Sequence, residues 1–185
     1  IKKYNKNYYL SVGKVIRGMK IKIFDEMGKE CNKNQIGEIL VSGKFLFDKY
    51  FKTNDLDKSY KSKYFKTGDM GYISNQNYVH IIGRKDDVFK VDGIKVSTLV
   101  IQNFILSNFP NILDTCGITK LIDGSLKPII FFVSKKQIDT MLIKLKIRDV
   151  LGSSHLPYKL INIENIPRLK SGKLNKEYLR INYLT

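Results

Sequence analysis

The stretch GRKDDVFKVDGIKVS, residues 83–97, marks where the chain changes character. Within it Asp92-Gly93 stands between Val91 and Ile94, and both turn residues tolerate the positive φ that a two-residue hairpin demands. A tight hairpin is therefore expected there. Upstream, apolar and polar residues alternate with the period of strands in KIKIF (20–24), GEILVSG (37–43) and YVHIIG (78–83), separated by turn-forming runs such as DEMGKE (25–30). Downstream the period lengthens. Ser97 can cap a helix carrying Leu99, Ile101, Phe104, Ile105 and Leu106, which must stop before Pro110. The apolar run PIIFFVS (128–134) reads as a buried strand. Ile138, Met141, Leu142, Leu145 and Leu151 read as the apolar face of a helix ended by Gly152, and KLINIENI (159–166) as a last strand. The expected fold class is a β-rich subdomain, residues 1–83, followed by a small α+β domain, residues 84–185.

Composition limits the function classes. The 185 residues are 43% hydrophobic, enough to build a core, and no apolar run reaches the roughly 20 residues of a membrane span. The N-terminus has no signal-peptide pattern, so a cytoplasmic protein is expected. Because the chain starts at Ile1, it reads as a fragment lacking its natural start. Cys31 and Cys116 form no CxxC pair, and His80 and His155 have no ligand-like company, so free thiols and no bound metal are expected. The net charge of +16 raises a nucleic-acid partner, but it divides equally on either side of Arg84. With 28 lysines and 5 arginines, it is also poor in the planar guanidinium groups that favour bidentate phosphate contacts. A solvated lysine-rich surface with no nucleic-acid role is the expectation.

Three short motifs follow in order: YFKTGDMGY (64–72), GRKDDVFKVDGIKV (83–96) and PRLKSGKLNK (167–176). With the preceding stretch SVGKVIRGMKIKIFDEMGKECNKNQIGEILVSGKF (11–45), they resemble the C-terminal part of the adenylate-forming superfamily: acyl-CoA synthetases, nonribosomal peptide adenylation domains and firefly luciferase. The resemblance implies a two-step ligation, in which a carboxylate attacks the α-phosphate of ATP and a thiol then displaces AMP. It also implies that residues 84–185 form a lid turning on a hinge between the steps. The family's phosphate loop, adenine-stacking aromatic and magnesium-binding glutamate belong upstream of such a region, so the isolated chain is expected to be inactive. ATP and Mg2+ are the implied cofactors, a small-molecule carboxylic acid the substrate, and CoA or a phosphopantetheine arm the thiol.

The resemblance assigns roles residue by residue. Asp69, an acceptor-only carboxylate, suits a vicinal ribose diol, whereas an isolated Thr-Gly-Asp would make a local turn bond. Arg84 offers fixed donors to ribose or adenylate oxygens, or else an ion pair with a nearby aspartate. Asp86 matches the hinge, and is otherwise a loop aspartate. Lys90 and Gly93 match the face presented in thioester formation, where Gly93 admits a pantetheine arm; the hairpin turn already accounts for Gly93. Lys173, behind Ser171-Gly172, would bring positive charge to the attacked phosphate during adenylation.

Some positions depart from the family pattern: Val100 and Gln102 replace a glutamate-containing helix start, Lys176 replaces an arginine, and Lys49 replaces a glycine before Tyr50. Three functions stay open on sequence alone. The first is the C-terminal part of an ATP-dependent acid–thiol ligase with CoA as thiol. The second is an amino-acid-activating domain that loads a carrier protein, and the third a non-catalytic basic binding module.

Overall fold

The computed structural model describes residues 10–47, 60–61 and 63–184; Lys49 and Tyr50 lie outside them. The chain divides into two compact units that meet in sequence between Val88 and Phe89.

The first unit is built on one antiparallel sheet. Its strands are β1 (Leu10–Gly13), β2 (Met19–Phe24), β3 (Gly37–Gly43), β4 (Tyr60–Lys61), β5 (Tyr64–Ile73) and β6 (Val79–Arg84), in the order β1-β6-β5-β3-β2 with β4 added against β5. Alternation buries Ile23, Ile39 and Val79, against which Ile21, Val41, Ile73 and Ile81 pack. The strand order brings the two longest expected strands to either side of β5, which carries the Thr-Gly-Asp motif. At Gly71 the approach is close: a Cβ there would stand 2.1 Å from the His80 carbonyl oxygen and 2.7 Å from Ile39 Cδ1. A single 3-10 turn over Lys85–Asp87 follows β6.

The second unit begins with the hairpin β7 (Val88–Val91) and β8 (Ile94–Ser97). Asp92 and Gly93 adopt φ of 49° and 78°, the left-handed pair that the Asp-Gly sequence announces. Helix α1 (Thr98–Asn108) starts where Ser97 Oγ accepts the Leu99 N–H. A three-stranded sheet follows, with β10 (Ser125–Ser134) central, antiparallel to β9 (Ile112–Ile122) and parallel to β11 (Lys159–Asn162). Helices α2 (Thr140–Leu151) and α3 (Lys176–Tyr183) complete the unit. One face of the sheet contributes Cys116, Ile118, Ile129 and Phe131 to a core closed by Ile163, Ile166 and Leu179. The alternate side chains Ile130 and Phe132 are also fully buried, as are Ile101, Phe104 and Ile105 of α1 and Ile143 and Ile147 of α2. Among the described residues no helix is long and apolar enough to cross a membrane.

Three sequence expectations need correction. In α1, Ile101, Phe104 and Ile105 are buried as expected, but Leu106 is exposed, and Val100 and Gln102 are buried beside them. In α2, Met141 and Leu142 are 57% and 58% exposed and Leu145 faces solvent too; the helix packs through Ile143, Ile147 and Leu151, and Ile138 precedes it. The final strand stops at Asn162, and Ile163 and Ile166 reach the core from irregular backbone.

Candidate active site

The Thr-Gly-Asp motif sits where β5 leaves regular pairing. Glu38 pairs with Met70 and Leu40 with Lys66, so Thr67, Gly68 and Asp69 together face Ile39 alone. This bulge is pinned from inside, because the Thr67 hydroxyl donates to the Ile39 carbonyl at 2.8 Å and accepts the Asp69 N–H at 3.1 Å. Gly68 takes φ of 74° at its apex. On the other side Asp69 lies opposite Arg84 in the β5–β6 register. The Arg84 guanidinium stands 3.2 Å from the Asp69 carboxylate and donates to the Thr67 carbonyl at 2.9 Å. The Asp69 side chain is 28% exposed and that of Arg84 66%, so a partly sheltered acceptor lies beneath an open cluster of donors. That arrangement can take a diol through the carboxylate and an anionic oxygen through the remaining guanidinium hydrogens. The ion pair expected as one reading of Arg84 is present, and its partner is Asp69 itself.

Asp86 lies exposed in the 3-10 turn after Arg84, next to Lys85, whose ammonium pairs with Glu38 at 2.9 Å. The turn is thus tied to β3 just before the sequence boundary of the two units. Lys90 and Gly93 are exposed on the β7–β8 hairpin, and a Cβ at Gly93 would meet nothing within 4 Å.

Lys173 belongs to the second unit, on a short hairpin from Pro167 to Asn175. Its base is closed by the Asn175 N–H on the Pro167 carbonyl and by a bridge between Arg168 and Leu174. Its tip is closed by the Leu169 N–H on the Lys173 carbonyl and the Gly172 N–H on the Leu169 carbonyl, each 2.8 Å. Gly172 takes φ of 81°, which lets the chain reverse there. Below the hairpin Leu174 packs on the core, and the Asn175 side chain caps α3 by accepting the Tyr178 N–H at 3.0 Å. Lys173 projects into solvent, and among the described residues its ammonium has no ion-pair partner. In the same unit a cleft of about 680 Å3, lined by Ser134, Asn162, Glu164, Asn165, Tyr178 and Tyr183 among others, contains none of the expected site residues.

Sequence reading missed three contributors. Thr67 organises the bulge and lay within the quoted motif. Glu38 anchors the Lys85–Asp87 turn from 47 positions away, and Asp114 pairs with Arg168 from 54 positions away; no local pattern signals either contact. Among the described residues no group of three or more His, Cys, Asp or Glu side chains could hold a metal.

No family model matches the chain. A malonate–CoA ligase from Arabidopsis thaliana is 32% identical over 186 residues, covering 92% of this chain and 30% of that protein. A 4-coumarate–CoA ligase from Humulus lupulus is 27% identical over 94% of this chain and 32% of its own length. The crystal structure of ATP-bound MatB from Rhodopseudomonas palustris superposes with a TM-score of 0.82 at 26% identity, covering 94% of this chain and 35% of that one. The chain thus spans about a third of the length of the curated relatives it matches. Over about 93% of its length the chain is homologous to the C-terminal portion of the AMP-binding superfamily of adenylate-forming enzymes, acyl-CoA ligases among them.

Proposed function

We propose that the protein to which this chain belongs is an ATP-dependent acid–thiol ligase, with CoA as the thiol, and that the chain supplies its ribose contact, hinge and lid. The observation that carries this reading is the contrast between a braced carboxylate at Asp69 and an unpaired ammonium at Lys173, each on the motif expected to hold it. In the first half-reaction a substrate carboxylate oxygen bonds to the α-phosphorus of ATP and pyrophosphate leaves with the electrons of the broken P–O bond. Asp69 holds the ribose hydroxyls, oriented by Arg84. Lys173 faces the negative charge that gathers on the attacked phosphate, with no intramolecular pair to break first. In the second half-reaction a thiolate bonds to the acyl carbon and AMP departs. The proposed moving part is residues 84–185, set off from 1–83 and turning near Asp86, a few residues ahead of the compact-unit boundary at Val88 and Phe89. The exposed face of Lys90 and Gly93 then meets the pantetheine arm, and Gly93 leaves room for it.

The described residues offer no cluster for Mg2+, so its ligands and the phosphate cradle are assigned to the remainder of the protein. The cytoplasm, which supplies both ATP and CoA, is the compartment proposed for it. The test is pyrophosphate exchange by the full-length protein against panels of carboxylic and amino acids, followed by acyl transfer to CoA or to a carrier protein. Exchange with a non-amino acid and transfer to CoA is expected. Exchange with amino acids and transfer to a carrier protein alone would replace this reading with the amino-acid-activating one. No exchange with any acid would leave the basic binding module.

A further inference from the structure

The backbone bonds of the Lys173 hairpin fix the shape of its tip, and Leu174 packs its base on the core. The tip itself is linked to the sheet by a second side chain. Arg168 Nη2 donates to Asp114 Oδ2 on β9 at 2.7 Å, while Nη1 of the same guanidinium donates to the Gly172 carbonyl at 3.3 Å. The Asp114 carboxylate is itself oriented, because its other oxygen accepts the Thr115 N–H at 2.8 Å. One rigid planar group therefore spans from a carboxylate fixed on a core strand to the carbonyl of the residue just before Lys173. β9 at this point is well anchored, with Thr115 and Cys116 buried beside Asp114. The side chains of Arg168 and Asp114 are 48% and 36% exposed, and an ion pair so open contributes little to global stability. Its geometry acts on the tip of the hairpin.

We propose that Arg168 and Asp114 are positioning residues for adenylation: their pair, extended to the Gly172 carbonyl, sets the direction in which the hairpin presents the Lys173 ammonium. The proposal rests on the role given to Lys173 above. A lysine side chain amplifies any tilt of its own backbone, and a misplacement of about 1 Å at a reacting centre can cost as much as about 100-fold in rate. Lysine at position 168 supplies charge to Asp114 but has no planar fork to reach the Gly172 carbonyl as well.

The experiment measures each half-reaction by rapid quench in the full-length protein, with Arg168→Ala, Arg168→Lys, Asp114→Ala, the double variant Arg168→Ala/Asp114→Ala and, as reference, Lys173→Ala. Arg168→Ala is expected to lower the adenylation rate about 10-fold, leave the KM for ATP within about 2-fold and leave transfer from supplied acyl-adenylate within about 2-fold. Asp114→Ala should fall by a similar factor, and the double variant should be no slower than Arg168→Ala, since both remove one linkage. Arg168→Lys should recover part of the loss. The melting temperature should be unchanged in every variant. Equal slowing of both half-reactions by Arg168→Ala, or losses that multiply in the double variant, would overturn the proposal. Lys173→Ala slowing adenylation while Arg168→Ala does not would remove the linkage alone, whereas Lys173→Ala leaving adenylation intact would remove the role of Lys173 and the linkage with it.

Discussion

Asp69 and Lys173 are held by opposite means. The carboxylate stands in a six-stranded sheet, in a bulge pinned by the Thr67 hydroxyl, and its cation is already 3.2 Å away on the neighbouring strand. The ammonium stands on a two-bond turn above the sheet of the other unit, exposed and with no ion pair among the described residues. A group that binds ribose throughout a reaction gains from being fixed and shielded. A group that acts in only one half-reaction gains from being unpaired, because any internal partner would have to be displaced before it could act. On the proposed roles, the same kind of short motif encodes a fixed contact where the chain around it is ladder and a deliverable charge where it is turn.

The contrast breaks most visibly at a glycine of the first unit. Gly71→Ala would drive a Cβ into the His80 carbonyl, backbone that β5 and β6 cannot yield without losing their register, so about 3 kcal/mol of stability should be lost along with the Asp69–Arg84 pair. Urea unfolding followed by probes in each unit would show it. A loss under about 1 kcal/mol would mean the sheet around Asp69 is softer than described.

A comparable effect belongs to the second unit alone. His155 is fully buried between α2 and β11 in sequence, its Nδ1 3.3 Å from Ser154 Oγ. Burial pushes its pKa down to about 4, against an upward pull from a backbone hydrogen bond with Leu151. The folded state thus favours the neutral ring. Its contribution is fully present above the unfolded value of about 6.5 and is lost as pH falls from there through about 4, up to about 3 kcal/mol in all. Unfolding curves at pH 7, 5 and 4 should show the second unit weakening first, and His155→Gln should flatten that dependence.

Smaller effects sharpen the comparison at the sites themselves. Asp69→Ala in the full-length enzyme removes a charged acceptor for the ribose and should weaken ATP use in adenylation by about 10-fold to 100-fold. An unchanged KM for ATP would move the ribose contact elsewhere. Gly172→Ala meets no atom within 4 Å, so it costs only the left-handed conformation, about 1 kcal/mol, and should act on the hairpin without unfolding the unit.

The sequence disclosed these regions unequally, for physical reasons. Asp92-Gly93 and Ser97 were legible because hairpin φ angles and helix caps depend on residues within a few positions of one another. The strands at 20–24, 37–43 and 78–83 were legible because apolar residues recur at alternate positions, Ile21 and Ile23, Ile39 and Val41, Val79 and Ile81, on one packed face of the sheet; Leu40 and Ile82 on the opposite face are buried as well. The face of α2 was not. MLIKLKIRDVL carries apolar residues on two stripes, Met141-Leu142-Leu145 and Ile143-Ile147-Leu151, and only tertiary packing chooses between them. β9 escaped because Asp114, Thr115, Thr119 and Lys120 interrupt its apolar pattern, and α3 because it is short and mostly exposed. The motifs carry the candidate residues Asp69, Arg84 and Lys173, but the groups bonded to their surroundings, the Ile39 carbonyl that accepts the Thr67 hydroxyl and the Asp114 carboxylate that accepts from Arg168, are distant in sequence and carry no signature.

The most direct measurement is rapid-quench separation of the two half-reactions in full-length Lys173→Ala. Acyl-adenylate formation is expected to fall by about 100-fold to 1,000-fold, as for loss of one preorganised charge, while supplied acyl-adenylate is transferred to the thiol at close to the parent rate. Adenylation at the parent rate in that variant would contradict it, and Lys173 would then be one more lysine on a lysine-rich surface.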